Sequence, residues 1–300
     1  ITKLPRDLFW TIFRLAASTS PNADIGSQRN TSIAVSQTCQ AWRMEALITP
    51  HLWTRLVILD VGLWSANSSA EEVEAAKQRR IEALSTWIRR SGDTLPLDIT
   101  LIVNANSGVA IPSSLSRRFI NLLRTTQTRW RSLSITIPDP TSQSIASRIL
   151  RIPGSLLPSL EVLSIDPGKL NLTKVPLLQA PNIASLTYPQ GWAGIRSIFH
   201  ASPPGSGNGP LIPWAQLTTL ELGTPPGEKR SWTNDIPILA RTHALLVLAA
   251  CPHLITCTLH MCDYPENPQS PLAPTPPSQS SSSSQETSSS QPDSSQPRLS

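Results

Sequence analysis

At 300 residues the chain is long enough for one large domain or two modest ones, and its 29 prolines exclude a long-helix bundle or a coiled coil. A net charge of +5 permits nucleic-acid binding without demanding it, because the basic residues come as scattered pairs (Arg79-Arg80, Arg89-Arg90, Arg117-Arg118) with no interleaved aromatics. Four cysteines are too few for a disulfide scaffold and fit a reducing compartment, cytoplasm or nucleus; no apolar run reaches the roughly 18 residues of a membrane span, and no signal peptide is read.

In chain order, Pro5 suits the first turn of a helix and Asp7 suits its dipole. Leu8, Ile12, Leu15 and Ala16 then recur at helical spacing as one apolar stripe. Residues 18–32 read as a polar loop. A second helix is predicted over 33–48, with Val35, Cys39, Trp42 and Ala46 on its stripe, and Thr49-Pro50 stops it. Leu56-Val57-Ile58 reads as a short strand. A third helix spans 70–90, with glutamates at its start, arginines at its end, an apolar face of Leu84, Trp87 and Ile88, and Gly92 as a left-handed cap.

From about residue 95 short alternating strands appear, at 97–101, 133–137, 160–165, 183–188, 217–222 and 254–259. Helices are predicted between them at 114–125, 143–150, 192–199 and 236–250. The last four strands share the pattern Leu/Ile-x-x-Leu/Cys-x-Ile/Leu/Tyr, and three have a proline two residues ahead (Pro158, Pro181, Pro252). Self-similarity at roughly 20–40 residues predicts a solenoid of strand–helix units in an α+β or α/β fold, a mixed α/β domain with chance proline turns being the other reading. Residues 265–300 are dominated by Pro, Ser and Gln and are predicted to be a disordered tail. The domain reading is therefore a helical module at 1–58, a connecting helix at 59–95, repeats at 96–263 and a tail at 264–300.

Chemistry-bearing motifs are sparse. Gly205-Ser206-Gly207-Asn208-Gly209 lacks the following lysine of a phosphate loop and reads as a flexible insert. Cys251, His253, Cys257, His260 and Cys262 have zinc-like spacing, but Cys257 takes the inward position of Leu163, Leu186 and Leu220, and His260 lies on the opposite face of the strand. They are read as core, not metal ligands. No hydrolase, zincin, Walker or dinucleotide motif is found, and His51, His200 and His243 stand alone, so neither catalysis nor a cofactor is expected.

The segment Leu4-Pro5-x-Asp7-Leu8-x3-Ile12-Phe13, then Val35-Ser36-x2-Cys39-x2-Trp42-Arg43-x3-Leu47-x-Thr49-Pro50-x-Leu52-Trp53, resembles the F-box. The continuation Trp87-Ile88-x-Arg90-Ser91-Gly92-x3-Pro96-Leu97-x-Ile99 is similar to that of fungal, especially mushroom-type, F-box proteins. Loop 18–32 is longer than the usual linker of that family. The resemblance implies a three-helix F-box that docks on the Skp adaptor of a cullin-based ubiquitin ligase, followed by irregular leucine-rich-repeat-like units that bind a target protein. Leu4, Pro5, Leu8, Phe9, Phe13 and Val35 are the residues expected to meet the adaptor; Trp42 and Trp53 are expected to pack the module onto the rest of the chain. The alternatives are an interaction scaffold outside ubiquitylation and, resting only on a pI of 9.3, a nucleic-acid-binding repeat protein.

Overall fold

A computed structural model describes residues 5–19, 24–25, 27, 30–59, 69–102, 113–137, 145–166, 175–189, 212–223 and 241–260. The chain divides into two compact units, Ile1–Cys262 and Asp263–Ser300. Everything described lies in the first; the predicted tail, the helix at 192–199, the glycine-rich insert, Leu4 and Cys262 lie outside the described residues.

Three helices come first: α1 (Arg6–Thr19), α2 (Thr31–Thr38) and α3 (Gln40–Leu47). The single helix expected over 33–48 is two. Cys39 adopts an extended backbone (φ −155°, ψ 170°), ending α2 and supplying the carbonyl that accepts from Arg43 N at the start of α3. Hydroxyls before the break compete for the helical carbonyls: Ser36 donates to Ile33 O and Thr38 to Ala34 O. Arg43 Nε donates to the Ser36 carbonyl at 2.9 Å. A short 3-10 turn, Pro50–Trp53, leads into β1 (Arg55–Leu59).

The long helix α4 (Ala70–Arg90) occupies the predicted span. Its start is a reciprocal capping box between Ser69 and Glu72, and Gly92 sits at φ +70° just past its end. Replacing Ser69 by Ala removes one side of the box. A loss of about 1 kcal/mol is expected, read as a lower urea midpoint with unchanged slope.

The remaining elements are β2 (Leu97–Ile102), α5 (Ser113–Arg124), β3 (Trp130–Thr136), α6 (Ile145–Leu150), β4 (Val162–Asp166), β5 (Ser185–Tyr188), β6 (Thr219–Leu222), α7 (Arg241–Ala250) and β7 (Thr256–Leu259). The seven strands form one all-parallel sheet in sequence order, β1 to β7. All seven predicted strands are present. In the last four the ladder starts two residues later than the alternation, because Leu160, Ile183, Leu217 and Leu254 close a turn before it.

Register explains the alternation. Leu56, Ile99, Leu133, Leu163, Leu186, Leu220 and Cys257 lie side by side across the sheet, and up to Leu220 they are buried. Ile58, Leu101, Ile135, Ile165, Tyr188 and Leu222 form a second buried row. Helices α4–α7 contribute Leu84, Trp87, Phe119, Leu123, Ile149 and Val247 to the same core. The opposite face carries hydroxyls: Thr100, Ser134, Ser164 and Thr187 run in register to Glu221 and Thr258.

The corners before β1, β3, β4, β5 and β6 are 3-10 turns, and those before β4, β5 and β6 are each tied to the corner before. Ser159 donates to the Thr128 carbonyl (2.7 Å), Asn182 to that of Pro158 (2.6 Å) and Gln216 to that of Ile183 (3.1 Å). These bonds satisfy corner carbonyls that a parallel sheet leaves unpaired.

Cys257 departs from expectation. It holds the inward register position but is exposed, because it lies on the last strand, whose far side nothing described covers. Cys251 is buried, and among the described residues no three His, Cys, Asp or Glu side chains are grouped to hold a metal. Burial pushes the Cys251 thiol from 9.0 to about 11, with nearby Cys257 adding to the rise. Burial also raises the Tyr188 phenol, with Asp166 adding. Both groups bind their proton more tightly folded than unfolded. Their contribution is therefore complete below the unfolded values and is lost as pH rises through the folded ones. The urea midpoint is expected to hold from about pH 7 to 8.5 and to fall by about pH 10.5; a midpoint unchanged at the higher pH contradicts this.

Candidate docking surface on the N-terminal helices

Pro5 immediately precedes helix α1, and its carbonyl accepts from Leu8 N (3.0 Å) and Phe9 N (3.4 Å). Its apolar residues fill two stripes, not one. Phe9 and Phe13 point inward and stack on Trp42 of α3, with centroid distances of 6.1 and 5.4 Å. Val35 of α2 and Ala46 of α3 are buried in the same cluster. Edge-on aromatic packing of this kind adds about 0.5–1.5 kcal/mol per pair beyond area burial. The stripe read from the sequence is the exposed one: Leu8 is 47% exposed, Ile12 39% and Leu15 59%.

The six residues expected to meet a partner are thus divided. Pro5 and Leu8 are on the surface. Phe9, Phe13 and Val35 are spent on internal packing, because an aromatic pair four residues apart on one helix matches the indole of Trp42. Leu4 lies outside the described residues. Ile12, Leu15 and, on α3, Met44 (57% exposed) are surface apolar residues that the expected set omitted. The signal for them was present, since an apolar residue at almost every position of 8–16 cannot all face one way.

The third side of α1 borders a groove of about 820 Å³. Asp7, Trp10, Thr11 and Arg14 form one wall, residues 48–52 and Thr54 form the other, and Arg131 of β3 also lines it. Arg131 is already held by Asp98 in a two-point ion pair (3.0 and 2.6 Å), whose hydrogen bond raises its pKa.

The scaffold behind this surface is firmly tied. Asn30 caps α2 by accepting from Ser32 N (3.0 Å), and the Ser32 hydroxyl donates to the Leu52 carbonyl (2.7 Å). Trp53 Nε1 donates to the Ala46 carbonyl (2.9 Å). Trp53 stacks edge-on against Trp87 of α4 (4.8 Å), and the Arg90 guanidinium lies 4.5 Å from its ring centroid. Desolvation and neighbouring Arg89 lower the pKa of Arg90. Trp53 therefore does join the helices to the following chain, whereas the Trp42 ring contacts are with α1.

Part of the long loop has a definite task. Ile25 N donates to the Val57 carbonyl (2.9 Å), and Asp24 accepts from Leu59 N (3.0 Å) while pairing with Arg80 (2.8 Å). The outer edge of β1 is closed by these bonds. Among the described residues no helix is long and apolar enough to cross a membrane. No family model and no curated protein matches the chain.

Proposed function

We propose that this chain is the non-catalytic, target-recognising subunit of an SCF-type ubiquitin ligase. In this reading α1–α3 and the Pro50–Trp53 turn form an F-box that docks on the Skp adaptor. The seven strand-bearing units form an irregular leucine-rich-repeat-like solenoid, and its hydroxyl-rich face receives the target protein. The mechanism is proximity: holding adaptor and target on one body raises the target's effective concentration near the ubiquitin-charged enzyme. No cofactor enters this scheme, and a cytoplasmic or nuclear setting goes with it.

The supporting observation is the second apolar stripe of α1. A surface helix of a self-sufficient domain keeps one apolar stripe and turns it inward. Here Phe9 and Phe13 already supply that stripe, and Leu8, Ile12 and Leu15 extend the apolar surface toward solvent. Such a strip is the signature of a helix that packs against a second protein.

Co-expression with a fungal Skp adaptor tests the reading. The two chains are expected to co-purify in a stable one-to-one complex. Recovery of this chain alone, under conditions in which an unrelated F-box protein retains the adaptor, removes the ligase assignment and leaves the scaffold.

A further inference from the structure

The two ends of the sheet are finished differently. At β1 the chain closes its own edge through Ile25 and Asp24. At β7 no described residue does so: Thr256, Cys257 and Thr258 are exposed, and among the described residues β7 pairs with β6 alone. Thr256 N and His260 N donate to the Thr218 and Leu222 carbonyls of the β6 side, at 3.0 and 2.8 Å. By the alternation of a ladder, the amide and carbonyl groups of Cys257 and Leu259 point the other way, along the open edge.

Soluble proteins blunt such an edge with charge, proline or a bulge. Residues 254–259 contain no charged residue and no proline. His260, which follows the strand, is turned back onto β6, with Nε2 3.6 Å from Glu221 Oε1. The surroundings are apolar: Ile255 is 84% exposed, and Leu245, Leu246 and Leu248 of α7 are exposed as well. Residues 265–300 hold only Leu272, Ala273 and Leu299 as apolar residues, too few to supply a matching strand.

From this we infer that the β7 edge pairs with the β7 edge of a second copy, antiparallel about a two-fold axis. A self-facing contact needs a surface complementary to itself. This edge meets that condition: it carries no charge to repel its own image, its threonines lie on the solvent face for cross-strand Thr–Thr pairs, and its apolar residues lie together on the other. The pairing continues the sheet across the axis and brings the two Cys257 side chains within a residue or two of each other. It lies six strands from β1, roughly 29 Å at the usual strand spacing, so adaptor docking on α1 and dimerisation are independent.

Light scattering on the purified 300-residue chain, together with a short bismaleimide cross-linker that adds to two thiols, tests the proposal. The expected result is a particle of twice 32.6 kDa, cross-linked in good yield and insensitive to salt. Cys257→Ser is expected to keep the dimer and lose the cross-link. Cys257→Lys puts a charge at the exposed edge and is expected to weaken the dimer at least about 100-fold, with an unchanged circular dichroism spectrum. The proposal is overturned by a monomer at concentrations up to about 100 µM. It is overturned equally by a dimer that Cys257→Lys leaves intact, or by a monomer whose Cys257 resists maleimide because another segment covers it.

Discussion

Replacing Leu8 and Ile12 together by Asp is expected to abolish adaptor capture while leaving the fold in place. Both side chains are substantially exposed, so neither substitution opens a cavity. The intrinsic helix cost is about 0.5 kcal/mol per residue, and Asp at position 8 is near the favourable N-terminal end. The thermal midpoint should move by no more than a few degrees. The binding loss is far larger, because truncating a central apolar anchor costs about 2–4 kcal/mol and a carboxylate adds desolvation against the partner. An affinity drop of at least about 100-fold follows, measurable by calorimetric titration of the adaptor. Phe13→Ala is the contrasting variant. Phe13 is fully buried against Phe9 and Trp42, so its removal should cost about 3–5 kcal/mol of stability and weaken binding only through unfolding.

The second large effect concerns Gly154, which lies in the 3-10 corner Gly154–Leu156 before β4. A Cβ at this position would sit 2.3 Å from Ala180 N and 2.4 Å from the Gln179 carbonyl carbon, both backbone atoms of the next corner. Backbone held by stacked turns cannot step aside as a flexible side chain can. Gly154→Ala is therefore expected to cost more than about 3 kcal/mol and to lower the urea midpoint sharply. Gly92→Ala separates sterics from conformation. Gly92 has φ +70° but its Cβ would meet only Pro50 Cβ at 4.0 Å, so only the left-handed strain of about 1 kcal/mol applies. Equal losses at the two sites would show that the corners are not in close contact.

The strands were legible because their signal is local. Leu-Ser-Ile-Thr-Ile at 133–137 alternates with period two, and a sheet with helices on one face reads that period directly. Helix α4 was legible because charge at both ends and the closing Gly92 mark its span. The break at Cys39 was not, since no proline or glycine announces it; it emerges from hydroxyl–carbonyl competition and from Arg43 taking the Ser36 carbonyl. The inward side of α1 was also hidden. Residues 8, 12, 15 and 9, 13 both have helical spacing, and the choice between them is made by Trp42, thirty residues away in sequence. The edge role of Asp24 and Ile25 depends on β1 being the first strand of the sheet, which composition cannot state. Gly154 was silent for the same reason, because its neighbour is the corner of the next unit.

Oxidative footprinting of α1, with and without the Skp adaptor, is the most direct measurement. Each side chain of the helix reports its own solvent access, so the method identifies the docked face as well as the binding event. Leu8, Ile12 and Leu15 are expected to lose reactivity when the adaptor is added, while Phe9 and Phe13 stay unreactive in both states. Modification of Leu8, Ile12 and Leu15 that proceeds at the same rate with the adaptor present at saturation would contradict this.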